Sequence, residues 1–194
     1  MNRDYRIVIC IVFGLLGEIN LAQNTPDIRT LLANLNQPTT TDHAARLILE
    51  VANKDSISRE YVVQKLPEMI DKPKSDEVWL NAVRLAGQLK AVETIPSLQK
   101  ALSRGPLGGL LAYSMTAEMQ LDDDVVAKAL SEIGEPAIPA VRSILEGEDR
   151  KTRRRAVLIL RNMGTPAARK ALQERLPHES DPRIKELIES GLRP

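Results

Sequence analysis

Val125-Val126-Ala127-Lys128-Ala129-Leu130-Ser131-Glu132-Ile133-Gly134-Glu135-Pro136-Ala137 and Arg155-Ala156-Val157-Leu158-Ile159-Leu160-Arg161-Asn162-Met163-Gly164-Thr165-Pro166-Ala167 carry one pattern twice, thirty residues apart. Val126, Ala129, Leu130, Ile133, Gly134, Pro136 and Ala137 fall on Ala156, Ile159, Leu160, Met163, Gly164, Pro166 and Ala167. Self-similarity at such a period means stacked supersecondary units, none of which can bury its apolar face alone. The punctuation defines the unit. Thr165 before Pro166 is a hydroxyl N-cap followed by proline at the first helical position, where the missing N–H costs nothing. Gly134 and Gly164 stand where a helix ends and are expected to take the left-handed cap conformation. Each unit therefore reads helix A, glycine turn, proline-started helix B. Ala156, Ile159, Leu160 and Met163 on one helix, and Ala168, Ala171, Leu172 and Leu176 on the next, recur at spacings of three and four, the mark of a single buried helical face.

This pattern resembles the HEAT family, most nearly the bacterial HEAT-like repeats also found in phycobilisome lyase proteins. The resemblance rests on Arg155-Ala156 with Met163-Gly164-Thr165-Pro166-Ala167, and on Ala129-Leu130 and Ile133-Gly134 with Ala137-Ile138-Pro139-Ala140-Val141. It extends to Ala82-Val83-Arg84-Leu85 and Gln88-Leu89 with Ile95-Pro96-Ser97-Leu98, and to a terminal half-unit, Ser180-Asp181-Pro182-Arg183-Ile184. Together these segments take in roughly the last two thirds of the chain. What the resemblance implies is an all-α fold, a right-handed α-solenoid of antiparallel helix pairs. Its functional implication is general, because the family mostly supplies binding surfaces.

Composition agrees with an aliphatic helical array. Of 194 residues 43% are hydrophobic, 27% charged and only 3% aromatic, and the formal net charge is +1, which suits one folded domain and disfavours a sheet protein or a disordered chain. Arg3 and Arg6 precede an apolar run from Ile7 to Leu16, then a polar segment with Ala22. A basic start and a short apolar run followed by a small residue predict a signal peptide over residues 1–22, cut after Ala22. The alternative is a buried N-terminal helix. The run is too short to span a bilayer. Cys10, the only cysteine, lies inside it, so a processed chain has no thiol.

Residues 23–72 read as a degenerate capping unit: a short helix with Ile28, Leu31, Leu32 and Leu35, one through Ala45, Leu47, Ile48 and Val51, and one with Val62, Val63, Leu66 and Ile70. From 73 to 194 the repeats follow, with helices expected over Glu77 to Leu89 and Val92 to Leu102 and an irregular insertion at 103–122. The glycines of the insertion lack the lysine and serine or threonine of a phosphate loop, and an extra or displaced helix is the better reading. Trp79 is expected to pack against the preceding unit. Asp122-Asp123-Asp124 reads as an N-cap for the helix at Val125, ahead of a calcium site, because alternating ligands and a central glycine are missing.

Arg150-Lys151-Thr152-Arg153-Arg154-Arg155 is the densest charge run, within a stretch from Arg142 to Arg175 that has ten basic and four acidic residues. The expected reading is a solvated structural face near Glu148 and Asp149, with a polyanion site as the alternative. His178-Glu179 is a single pair and too few ligands for a metal. No nucleophile elbow, zinc helix or dinucleotide fingerprint is present, and no residue is assigned to catalysis, a cofactor or a metal.

The leading expectation is thus a noncatalytic protein-binding scaffold, secreted or periplasmic, which touches a membrane only through an uncleaved N-terminus. A polyanion or nucleic-acid binder is the second reading and is disfavoured by the near-neutral chain. A lyase-type enzyme or subunit is the third, implied only by the shared repeat. Candidate contacts for another protein are the polar residues expected to face outward from the B helices: Lys65, Gln99, Lys100, Arg142, Arg169, Lys170 and Gln173.

Overall fold

The computed structural model describes residues 27–37, 39–103 and 124–193. Among them the chain forms ten α-helices and no strand. The basic and apolar N-terminal segment and the body of the insertion lie outside the described residues.

The helices are α1 (Ile28–Leu35), α2 (Thr41–Lys54), α3 (Ser56–Asp71), α4 (Asp76–Gln88), α5 (Ile95–Ser103), α6 (Val125–Ile133), α7 (Ile138–Leu145), α8 (Arg150–Met163), α9 (Pro166–Arg175) and α10 (Pro182–Leu192). Most begin at a side chain that can accept from the first unpaired amides. Asp55 accepts from the amides of Ile57 and Ser58, Ser75 from Val78, Asp124 from Ala127, Asp149 from Thr152, Thr165 from Ala168, and Asp181 from Arg183 and Ile184. Asp124 thereby performs the capping expected of the aspartate triplet.

Packing sorts the helices into two rows. In one row α2, α4, α6, α8 and α10 each touch the next; in the other α3, α5, α7 and α9 do the same, and each pair α2/α3, α6/α7 and α8/α9 is joined by a short turn. The result is an all-α, HEAT-like solenoid of antiparallel helix pairs. At the N-terminal side α2 and α3 take places in the two rows, and α1 packs on both. The rows also continue directly from α4 to α6 and from α5 to α7 across residues 104–123.

The core between the rows is aliphatic. Leu35, Ile48, Leu66, Ile70, Leu89, Leu98, Leu102, Leu130, Ile159 and Leu160 are among its fully buried side chains, and Ala82, Ala86, Ala129, Ala156, Ala168 and Ala171 keep neighbouring helices close. Trp79 is half-buried against this core. Alternating small and branched side chains at helical spacing is what lets each unit hide its stripe only against the next unit.

The A-to-B turns after α4, α6 and α8 share a positive φ but not a residue type, whereas the α2/α3 turn passes through Asp55 at φ −131°. Gly164 has φ 61° and ψ 2°, the left-handed cap expected of it. Gly134 does not: its φ of 84° with ψ of −144° belongs to an extended mirror region open essentially to glycine, because the chain there enters a 3-10 turn, Glu135–Ala137, before α7. In the α4/α5 unit the position is held by Lys90, at φ 50°. Its amide reaches the Gly87 carbonyl and the Ala91 amide reaches that of Ala86, a Schellman ending with lysine in the glycine place. Lys90→Gly should therefore relieve a left-handed penalty larger than the chain entropy glycine adds, stabilising the fold by about 0.5–1 kcal/mol. A lowered urea midpoint for this variant would contradict the assignment.

Gly87, inside α4, has the opposite role. A Cβ there would stand 2.8 Å from the Ala129 Cα and 3.2 Å from its Cβ, so α4 and α6 touch backbone to backbone. Helix propensity alone would make Gly87→Ala stabilising by about 1 kcal/mol. The overlap decides otherwise, and the substitution should cost about 1–3 kcal/mol, measured by urea unfolding; a gain in stability would show that the helices are free to part.

Candidate functional site

The expected contact residues all lie on helices of the B row. Lys65 lies on α3 with its Nζ 6.0 Å from the Tyr61 ring centroid, and the Arg29 guanidinium of α1 stands 5.8 Å from the same ring. Gln99 and Lys100 follow on α5, Arg142 on α7, and Arg169, Lys170 and Gln173 on α9. All but half-buried Gln99 are exposed.

Sequence reasoning missed the acids that pair with these residues. Asp71 at the end of α3 accepts from Ser97 at 3.1 Å and pairs with Lys100 at 3.5 Å. Glu174 pairs with Arg142 at 2.7 Å across α7 and α9, and with Lys170 at 4.0 Å along α9. The Gln99 amide donates to Ser143 at 2.7 Å, tying α5 to α7. A polar ladder thus crosses every step of the B row, and part of its positive charge is neutralised locally. The i,i+4 spacing of Lys170 and Glu174 was the readable signal; Asp71 with Lys100 had none.

The arginine run is where the structure corrects the sequence reading most. Arg153 and Arg155 are not solvated: each is 8% exposed. Arg155 grips the Asp124 carboxylate with two nitrogens, one at 2.8 Å, and donates its third to the Leu102 carbonyl at the end of α5. Arg153 grips Glu179 with two bonds of 3.2 Å and donates to the carbonyls of Gly147 and Glu148, so its neighbours before α8 serve through their backbone and not through the Glu148 or Asp149 carboxylates. Arg150 pairs with Asp181. Arg154 is half-buried, and burial, then the charge of Arg150, pushes its pKa down. A guanidinium fork matches a carboxylate in a bidentate way, which explains arginine at the two buried positions.

Glu179, partner of His178 in the sequence, is 2% exposed. Its oxygens also accept from Arg175 at 3.0 and 3.3 Å and from the Asp181 amide at 3.0 Å. Burial raises its pKa, but the Asp181 amide and the Arg153 and Arg175 guanidinium groups outweigh that and bring it down to about 2. This carboxylate is a structural hub and offers no open ligand position.

In α4, Asn81 occupies the register place that Arg155 has in α8, and it too is buried, donating to Asp42 at 2.7 Å and Thr41 at 3.4 Å in the first turn of α2. The A row is thus fastened by an amide at one step and guanidinium groups at two others.

An array of antiparallel helix pairs in two stacked rows, fastened step by step, defines an α-solenoid. Residues 120–193 match the family model of HEAT repeats, which supports the HEAT-like reading of the repeats. No curated protein matches the chain. Among solved structures it is similar to that of an engineered protein from the Northeast Structural Genomics Consortium, with 19% identity, coverage of 86% of this chain and 78% of that one, and a TM-score of 0.45.

Proposed function

We propose that this chain is a noncatalytic scaffold that binds another protein along its B-helix row, exported from the cytoplasm to the periplasm or the medium. The observation that supports it is that α3, α5, α7 and α9 pack in one row and each carries exposed polar side chains, some of them bonded from one helix to the next. Such a row suits an extended partner segment read at several successive positions. Export is carried by the sequence of residues 1–22 alone. The polyanion reading loses ground because Arg153 and Arg155 are committed to internal carboxylates. The lyase-type reading rests on the resemblance of the repeats and on no residue of this chain.

The test is capture of a partner from periplasm or medium with the processed chain, followed by Arg142→Glu, Arg169→Glu and Lys170→Glu together. An acidic partner should be lost by the triple variant and held more tightly by Glu174→Gln, which frees Arg142 and Lys170. Unchanged affinity in both, with helicity and melting intact, sinks the B-face reading. N-terminal sequencing of the natural protein checks export: a chain that still begins at Met1 refutes it.

A further inference from the structure

The A-helix row has a cleft of about 330 Å³ between α4 and α6, at the small end of the size range for ligand sites. Leu80, Arg84 and Gln88, each about one helical turn from the next, line it from α4, and Val125, Lys128 and Glu132 line it from α6. Leu80 and Val125 are half-buried and make one end of it apolar. At the other end Glu132, also half-buried, lies over the α4 backbone: one of its carboxylate oxygens fills the space that a Cβ on Gly87 would need. The glycine admits the acid. Among the described residues the Glu132 carboxylate has no hydrogen bond and no ion pair, and burial outweighs the attraction of Lys128, one turn earlier on α6, so its pKa is raised. Lys128 is already engaged and is left out of the charge count. Arg84 is exposed and has no ion-pair partner among the described residues, Glu132 included. The cleft thus presents an unpaired acid and an unpaired base that do not meet each other, beside an apolar end.

We propose that this cleft binds the zwitterion of a small aliphatic amino acid, with its ammonium on Glu132, its carboxylate on Arg84 and its side chain on Leu80 and Val125. Each part of the ligand answers one feature of the lining. A half-buried carboxylate is relieved by a cation brought beside it, a guanidinium fork takes a carboxylate in a bidentate way, and an aliphatic body removes Leu80 and Val125 from water. The two charges have to travel together. An amine alone leaves Arg84 unpaired and brings a second cation into its cleft, and a carboxylate alone does the same to Glu132. This site lies on the A row and stands or falls independently of the B-row scaffold reading.

Leucine, isoamylamine, which lacks only its carboxylate, and isocaproate, which lacks only its ammonium, are titrated into the isotope-labelled chain at neutral pH with the Gly87 and Ala129 amides followed by NMR. Leucine should give saturable shifts at these amides, and each of the other two should bind at least about tenfold more weakly. Glu132→Gln and Arg84→Gln should each weaken leucine by about tenfold or more. Arg84→Gln should leave the melting temperature unchanged, and Glu132→Gln should leave it unchanged or raised, because a half-buried charge without a partner is removed. Lys128→Gln should not weaken leucine. Isoamylamine binding as well as leucine would remove Arg84 from the site, and isocaproate binding as well would remove Glu132; either result overturns the zwitterion. Loss of leucine in Lys128→Gln would place the carboxylate on the lysine and overturn its assignment to Arg84, and a lowered melting temperature in Glu132→Gln would make that acid a structural partner. Absence of saturation with leucine overturns the site.

Discussion

Arg155→Ala should destabilise the protein by about 3–5 kcal/mol, the usual cost of stranding one partner of a buried ion pair. The size follows from what the side chain touches. Removing it leaves the Asp124 carboxylate, in a residue 7% exposed, with the Ala127 amide at 3.1 Å as its remaining hydrogen bond among the described residues, and takes a donor from the Leu102 carbonyl. Arg155→Lys should recover little, because an ammonium on a flexible stem cannot reproduce a fork aimed at two oxygens and a carbonyl. Lys151→Ala, four residues away and exposed, should change stability by no more than about 0.5 kcal/mol. Urea unfolding separates them; equal midpoints for Arg155→Ala and Lys151→Ala would mean that the pair is not formed.

Glu179→Gln should cost a similar amount, about 3–5 kcal/mol, by leaving Arg153 buried without its counter-charge. The same hub makes stability depend on pH with a definite sign. Its carboxyl falls from an ordinary 4.5 to about 2 on folding, so the native state holds the ionised form more firmly than the unfolded chain does. The stabilisation is complete above about pH 5 and is lost as pH falls from about 4.5 towards 2, amounting to up to about 3 kcal/mol. Unfolding of the parent chain and Glu179→Gln at pH 7 and pH 2.5 reads this directly. The difference between them should shrink sharply in acid; a gap that stays constant would place the hub's contribution elsewhere.

The repeat was legible because its markers act locally. Thr165 and Pro166 start α9 and Gly164 ends α8 through contacts within a few residues, so their chemistry can be read one helix end at a time. The first helical pairs were also readable from periodicity, although 3-10 turns such as Val92–Thr94 moved the start of α5 to Ile95. Lys90 was not readable, since lysine carries no preference for a left-handed backbone and is held there by the two hydrogen bonds of its turn. The arginine run was misjudged for a different reason. A charge run is solvated unless carboxylates meet it, and those of Arg153 and Arg155 come from Glu179 and Asp124, each a whole unit away. The acids that pair with the B-row cations became visible only once α3 met α5 and α7 met α9.

The fasteners along the A row also encode the order of the units. An aliphatic interface tolerates many neighbours, because alanine, leucine and isoleucine faces of similar volume can repack against one another. The polar contacts discriminate: α4 offers an amide to Asp42, α8 a guanidinium to Asp124, and α8 another to Glu179. A unit moved to another place, or copied into the array, would bury an arginine or aspartate opposite the wrong surface. Each step therefore rejects incorrect neighbours as well as holding its own, and expansion of this array by duplicating its terminal unit would require a matching carboxylate to be acquired at the same time.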